Sequence, residues 1–363
     1  LDGVRPVTHG AVGGAELAER GARRDGVIDF SASTNPLGPS PAVLEALRAL
    51  GSAELGRYPD PAAGALCRAL AERLGVGHDA LLAGNGTSEL IWLMALAYAR
   101  GAPERVLISG PAYGEYERAC RIMGSAVETE AAREADAFRP DVDRLAEHVR
   151  RERPRIVWLC NPNNPTGTYL TPERIERVLA ACVEVGCLLV VDEAYLAFVE
   201  HGRSAIELTD SAHAVVLRSM TKDYALTGLR LGYAVAAPDL VARLRLVQPP
   251  WSVGAPAQAA GMAALRDEAH LERSRREVWA ARALLVDGLA ALDYRALPPA
   301  ANFVLVDVGP RWESAAALRA ALFARGCVVR DCASFGLPRH VRIGVRTKEE
   351  CARLLAALRE VSR

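Results

Sequence analysis

Of the 44 Lys and Arg residues in this chain, only Lys222 and Lys348 are Lys. Arg stays protonated in a protein, whereas a Lys amine can lose its proton and act as a nucleophile or base. Lys348 has an ordinary setting. Thr347-Lys348-Glu349-Glu350 reads as a capping box, with Thr at the helix cap and Glu three residues later. Lys222 has another: it lies in SMTKDYALTGLRLGY (219–233), beside the hydroxyls of Ser219 and Thr221 and eight residues before Arg230. Hydroxyls and a guanidinium suit a phosphate, and an amine that can lose its proton suits an aldehyde.

Three further clusters carry polar groups of the same kind. GNGTSE (84–89) puts two Gly and two hydroxyls at a helix start, where backbone N–H groups and the dipole favour an anion. NPNNPTG (161–167) follows the apolar run IVWLC, and DEAY (192–195) closes the run LLVV. Each alone reads as well as a Gly turn, a Pro/Asn loop or a capping Asp. Together they suit one cofactor. Thr87, Ser88, Ser219, Thr221 and Arg230 offer a phosphate grip. Tyr113 offers an aromatic face to a pyridine ring, Asp192 a carboxylate to its nitrogen, and Asn164 and Tyr195 partners to its phenolic oxygen. The cofactor with these parts is pyridoxal 5'-phosphate (PLP), whose protein sites rest on a Lys and on a carboxylate at the pyridinium nitrogen.

The elements that position these residues are legible as an alternation. RVLIS (105–109), IVWLC (156–160), LLVVDEAY (188–195), AVVLRS (214–219) and LGYAVA (231–236) are apolar on both faces, as buried strands of a parallel sheet should be. Between them lie helices: Thr171-Pro172 opens one that Gly186 closes, and Thr87 opens another running to Gly101. This is an α/β pattern with a mostly parallel sheet, whose ligands belong at the strand ends. After about residue 250 long Arg- and Ala-rich helical segments (256–292) precede NFVLVDV (302–308), CVVRD (327–331) and HVRIGV (340–345). The expected organisation is an N-terminal segment (1–50) joining a small C-terminal α+β domain (249–363), with a large cofactor-binding domain over 51–248.

Composition narrows the function. The 363 residues are half hydrophobic with zero formal net charge, enough chain for a sizeable core. A nucleic-acid partner calls for a basic excess and a membrane span for a run of 18 or more apolar residues. Neither is present, and no helix-turn-helix segment supports a cofactor-holding DNA-binding regulator. No Walker or dinucleotide Gly fingerprint supports a nucleotide enzyme. The N-terminus, LDGVRPVTHGAVGG, has no apolar signal core and no initiator Met, as if upstream residues had been removed. Eight Cys occur, mostly inside apolar runs, and neither Cys182/Cys187 nor Cys327/Cys332 has zinc-site spacing. Reduced core thiols in the cytoplasm are the expectation.

NPNNPTG, DEAY and SMTKDYALTGLRLGY, in this order and spacing, resemble the aminotransferase family of PLP enzymes with the fold type I architecture. The likeness extends from DFSASTNPLGPSP (29–41) to HVRIGV. It implies that Lys222 carries the cofactor and shuttles the proton, and that Asp192 keeps the pyridine nitrogen protonated. Asn164 and Tyr195 would bond the phenolic oxygen, Tyr113 would stack on the ring, and the phosphate grip would be the set already named together with Gly86. Tyr58, in RYPDP, resembles the Tyr that reaches the neighbouring subunit's site, which implies a homodimer. Arg342 matches the Arg that clamps a substrate carboxylate, with Asn35, Arg330 and Arg346 also expected at the substrate.

Two branches of the family act on small phosphorylated amino compounds: threonine-phosphate decarboxylase of the cobalamin pathway and histidinol-phosphate aminotransferase of histidine biosynthesis. His9-Gly10, FSASTNPLGPSP, RYPDP, PPWSVGAPA (249–257) and VVRDCASFGL (328–337) look more like the decarboxylase. Decarboxylation of threonine phosphate is therefore the first expectation. Transamination of histidinol phosphate with 2-oxoglutarate is the second.

Overall fold

The computed structural model describes residues 4, 6–100 and 104–362, so the first residues of the N-terminal stretch lie outside it. Its larger sheet has seven strands in the order Leu81–Asn85, Leu231–Ala236, Ala214–Ser219, Leu188–Asp192, Ile156–Cys160, Arg105–Gly110 and Ala126–Ala131. The pairings from Ala214–Ser219 to Ala126–Ala131 are parallel, while Leu231–Ala236 runs antiparallel to both of its neighbours. Side chains such as Trp158, Val190 and Val215 enter one core, and Val157, Leu189 and Val216 a second on the opposite face. Both faces are thus covered, which is why these strands are apolar throughout.

Two strands of this sheet escape the sequence reading. Leu81–Asn85 is short and ends in Gly-Asn, and the edge strand Ala126–Ala131 carries Glu128 and Glu130. Charged side chains on an edge strand discourage pairing with other chains, and they also hide the strand from an apolar-run search.

The smaller sheet is antiparallel, in the order Arg330–Asp331, His340–Gly344, Phe303–Asp307 and Arg295–Ala296. The expected strand CVVRD is two pieces, because Cys327–Val328 pairs in parallel with Ile28–Asp29 and only Arg330–Asp331 joins this sheet. The helical segments expected over 256–292 are two helices, Ala255–Arg266 and Glu268–Ala290, parted at Asp267, whose carboxylate caps the His270 N–H at 3.1 Å. Ile28 and Phe30 pack with Val278, Val304, Ile343 and Leu354 in the core of this part.

Helix Ala255–Arg266, expected with the C-terminal part, packs instead with the larger one. Its Ala257, Ala260 and Ala264 share a core with Leu66, Leu70 and Leu231, as does Val43. Small residues allow that approach: a Cβ on Gly261 would lie 2.7 Å from Leu231.

Candidate active site

A cavity of about 240 Å³ opens where the strands ending in Cys160, Asp192 and Ser219 meet the smaller sheet. Lys222 enters it from the single turn Met220–Asp223 that follows strand Ala214–Ser219. Burial and the guanidiniums of Arg342 and Arg230 bring its amine down to about 8, against the upward pull of Asp192. Roughly a fifth of it is therefore neutral at a pH of about 7.4, against about a thousandth for an ordinary Lys. Its Nζ lies 5.7 Å from the centre of the Tyr195 ring.

Asp192, the last residue of its strand, is buried on the cavity floor. Its Oδ1 accepts the Ala194 N–H at 3.0 Å and its Oδ2 the Tyr116 hydroxyl at 2.7 Å. Burial raises its carboxyl, and the Tyr116 and Ala194 donors and the Lys222 charge oppose the rise. Tyr113 forms a side wall. Burial and the nearby Glu115 push its phenol up to about 12, so it presents a neutral ring.

One end of the cavity is built for an anion. Helix Gly86–Tyr98 begins there, and its cap residue Asn85 makes no side-chain capping bond, leaving first-turn N–H groups available. Thr87, Ser88, Thr221 and Arg230 line this end. Gly86, at φ +71, leaves room that a Cβ would fill 2.8 Å from Arg230 Nη2, and a Cβ on Gly232 would lie 2.7 Å from Thr87 N. Arg230 itself sits in the left-handed region at φ 56, its Nη1 donating to Thr227 O at 3.1 Å. Such a conformation in a non-Gly residue costs energy and clusters at sites where geometry matters. Ser219 lies one layer behind, its hydroxyl 2.6 Å from that of Thr221.

The other end holds two more guanidiniums. Arg342 donates to Asn164 Oδ1 and to Ser31 O, the latter at 2.8 Å, while its buried Nε has no partner. Arg330 donates to Thr8 O at 2.8 Å and Ser334 Oγ at 2.6 Å. The backbone segment 8–11 crosses here. His9 Nε2 is 3.1 Å from Glu115 Oε1 and its ring 5.8 Å from that of Tyr113.

Two residues expected at the substrate, Asn35 and Arg346, lie elsewhere, and Tyr58, expected at the neighbouring subunit's site, lies outside its own cavity. Asn35 is buried outside the cavity: its Nδ2 donates to Asp223 O and Ser274 Oγ, and its backbone N–H to Lys222 O. It positions the Lys222 turn and has no donor left for a substrate. Arg346 is engaged by Glu350 through a two-point pair at 3.1 and 3.0 Å. Tyr58 is 79% exposed and stacked on Trp251, away from the cavity of its own chain. Conversely Tyr116, Cys160, Thr8 and Ser334 line the cavity without having been expected there. For Tyr116 a signal existed, a second Tyr three residues after Tyr113 in PAYGEY.

The donor set fits PLP: a helix start without a cap and an Arg for the phosphate, a buried carboxylate, and an amine that readily loses its proton. The family profile "Aminotransferase class I and II" matches residues 25–358. The chain belongs to this family. Its relatives include histidinol-phosphate aminotransferase 1 of Nitrosococcus oceani, 36% identical over 93% of this chain and 89% of that one. Histidinol-phosphate aminotransferase of Paramagnetospirillum magneticum is 38% identical over 96% and 94%. The crystal structure of the Sinorhizobium meliloti histidinol-phosphate aminotransferase with PLP superposes at a TM-score of 0.86, with 28% identity over 97% and 95%.

The protein is thus a PLP-dependent enzyme of fold type I. The curated relatives favour the aminotransferase expectation over the decarboxylase one. Some residues of the stretches that pointed to decarboxylation have general structural duties, while His9, Ser31 and Arg330 of the same stretches line the cavity. Asp331 caps the Ala333 N–H at 2.7 Å, Cys332 is core, and Asn35 braces the Lys222 turn. Such duties do not depend on which bond of a substrate is cleaved.

Proposed function

We propose that this enzyme is an aminotransferase for histidinol phosphate, passing the amino group to 2-oxoglutarate. The observation that carries the reading is the pairing of Arg330 with Arg342. The two stand directly opposite each other on antiparallel strands and line one end of the cavity, with the phosphate-suited end of Arg230 across from them. Like charges directly opposed in a sheet are unfavourable by themselves, so the pair calls for an anion. A phosphorylated amine and a dicarboxylic acid each supply one. Relatives bearing the histidinol-phosphate aminotransferase name over more than nine-tenths of the chain support the same substrate.

In this reading Gly86, Thr87, Ser88, Ser219, Thr221 and Arg230 hold the cofactor phosphate, Tyr113 covers the ring, and Asn164 and Tyr195 bond its phenolic oxygen. Bound PLP supplies an aldehyde for the amine and an electron-poor ring that accepts charge from the adjacent carbon. Asp192 holds the proton on the ring nitrogen. Lys222, once its amine is free, would take the proton from the substrate carbon onto its Nζ and hold it for the return transfer. Its low pKa matches that task, since a general base works best near the ambient pH. Arg342 and Arg330 orient the substrate so that the C–H bond, and no other, faces Lys222.

We also propose a homodimer with shared sites. Its support is the exposed Tyr58–Trp251 stack, an aromatic surface with no work in its own cavity.

The deciding experiment supplies the PLP-loaded protein with histidinol phosphate and 2-oxoglutarate and follows glutamate. Glutamate formation that depends on both substrates is expected. Release of CO₂ from threonine phosphate, with no glutamate from the first pair, would overturn the reading.

A further inference from the structure

Tyr116 lies outside the motifs that mark the cavity, yet it is the side-chain donor to Asp192. It comes from helix Glu115–Ile122, and Asp192 from the central strand 188–192, so only the tertiary fold brings them together. The hydroxyl meets Asp192 Oδ2 at 2.7 Å. The ring is fully buried and cannot drift: it lies flat on Trp158, with centroids 4.8 Å apart and planes within 9°, and meets Tyr113 edge-on at 5.7 Å. With Ala194 N–H on Oδ1, each oxygen of the carboxylate has one fixed donor. The remaining lone pairs are aimed by the protein before any ligand arrives.

We propose that Tyr116 is a positioning residue for Asp192, fixing the aim of its carboxylate and keeping it ionised so that it can retain the proton of the cofactor's ring nitrogen. A carboxylate taken out of water takes up a proton unless hydrogen bonds or charges favour its ionised form. Tyr116 supplies such a bond from a phenol that stays protonated, since burial and the Asp192 charge hold it well above its usual range. A neutral Asp192 would instead offer a donor or a bare carbonyl, and the ring nitrogen would lose its counter-charge. Tyr116 also touches Tyr113, so one rigid ring sets both the floor and a wall of the proposed ring seat.

The inference rests on Asp192 as the seat of the ring nitrogen, and the test separates the two claims. Tyr116→Phe removes one oxygen and keeps the stack on Trp158. PLP affinity is measured by titrating apoenzyme of the wild type, Tyr116→Phe, Asp192→Ala and the double variant, together with the pH dependence of holoenzyme absorbance. Tyr116→Phe is expected to weaken PLP binding roughly 10-fold in the native background. It should also move the acid limb of the absorbance titration to higher pH, while in the Asp192→Ala background it changes affinity less than about two-fold. Equal losses in both backgrounds would reduce Tyr116 to ring packing and overturn the inference. So would a silent Tyr116→Phe beside a damaging Asp192→Ala, which leaves the seat intact. If Asp192→Ala binds PLP as tightly as the wild type, seat and inference fall together.

Discussion

Arg342 donates to the side-chain oxygen of Asn164 across the cavity, joining strand His340–Gly344 of the smaller sheet to the loop 161–167 of the larger. The same guanidinium holds Ser31 O at 2.8 Å and keeps its buried Nε without a partner. A guanidinium has five N–H donors in a fixed fork, so it can brace two protein acceptors and still present donors to an anion. An unsatisfied buried donor is costly unless a ligand meets it.

Arg342→Lys therefore keeps the charge and loses the fork. The expected result is normal PLP absorbance with kcat/KM lowered roughly 10- to 100-fold, mainly through KM for the anionic substrates. Steady-state kinetics at varied 2-oxoglutarate provide the measurement. Unchanged KM would remove Arg342 from the substrate.

The amine of Lys222, lowered to about 8 by burial and by Arg342 and Arg230, reacts with an aldehyde only when neutral. PLP uptake by the apoenzyme should thus accelerate as pH rises and level off above about 8, as stopped-flow absorbance would record. Lys222→Arg should fold and lose turnover by roughly 10²–10⁴-fold or more. Lys348→Arg should change little, because the capping there belongs to Thr347 and Glu350.

Asp223, next to Lys222, is buried and raised to about 6, with Arg218 acting against the rise. Its unfolded value lies near about 4, so between the two the folded state binds more protons than the unfolded. Stability from this group is fully present below about pH 4 and is lost as pH rises through about 6. Asp223→Asn should raise the melting temperature relative to wild type above pH 6, to a degree equivalent to about 3 kcal/mol of stability, and not below pH 4. Thermal unfolding across pH 4–8 checks the sign. A variant equally changed at both ends would deny the burial of this charge.

Asn35 provides a contrast between bracing and binding. Asn35→Ala would leave Asp223 O and Ser274 Oγ without their donor, costing roughly 1–3 kcal/mol of stability. KM for both substrates should stay within about two-fold. A large KM effect with unchanged melting would restore it to the substrate.

The exposed Tyr58 gives the proposed dimer an intermolecular test. Tyr58→Ala and Lys222→Ala each lower activity, and mixing the two purified variants under exchanging conditions should recover part of it. Recovery requires that one site draw Tyr58 and Lys222 from different subunits. Mixtures no more active than their parts would indicate separate sites.

The sheet was legible wherever burial on both faces forced a continuous apolar run, as at Ile156–Cys160 and Leu188–Asp192. It was illegible at Ala126–Ala131, where an edge needs charge, and at CVVRD, where one run serves two sheets. Within the site, Lys222, Asp192, Thr87 and Arg230 stood out because each lies at the end of its element and its chemistry names its task. Asn35 and Arg346 looked equally functional, since a polar residue in a motif carries no mark of whether protein or ligand meets it.

The sequence by itself therefore determined the family and the cofactor, and singled out the amine proposed to serve it, because those depend on residue type and order along the chain. Only the tertiary structure decided which neighbours each group has. It set Arg330 opposite Arg342, brought Arg342 to Asn164, and placed Tyr116 on Asp192. The physical reason is range. Hydrogen bonds and charge pairs act over a few ångströms in space, and the chain distance between their partners has no influence on them.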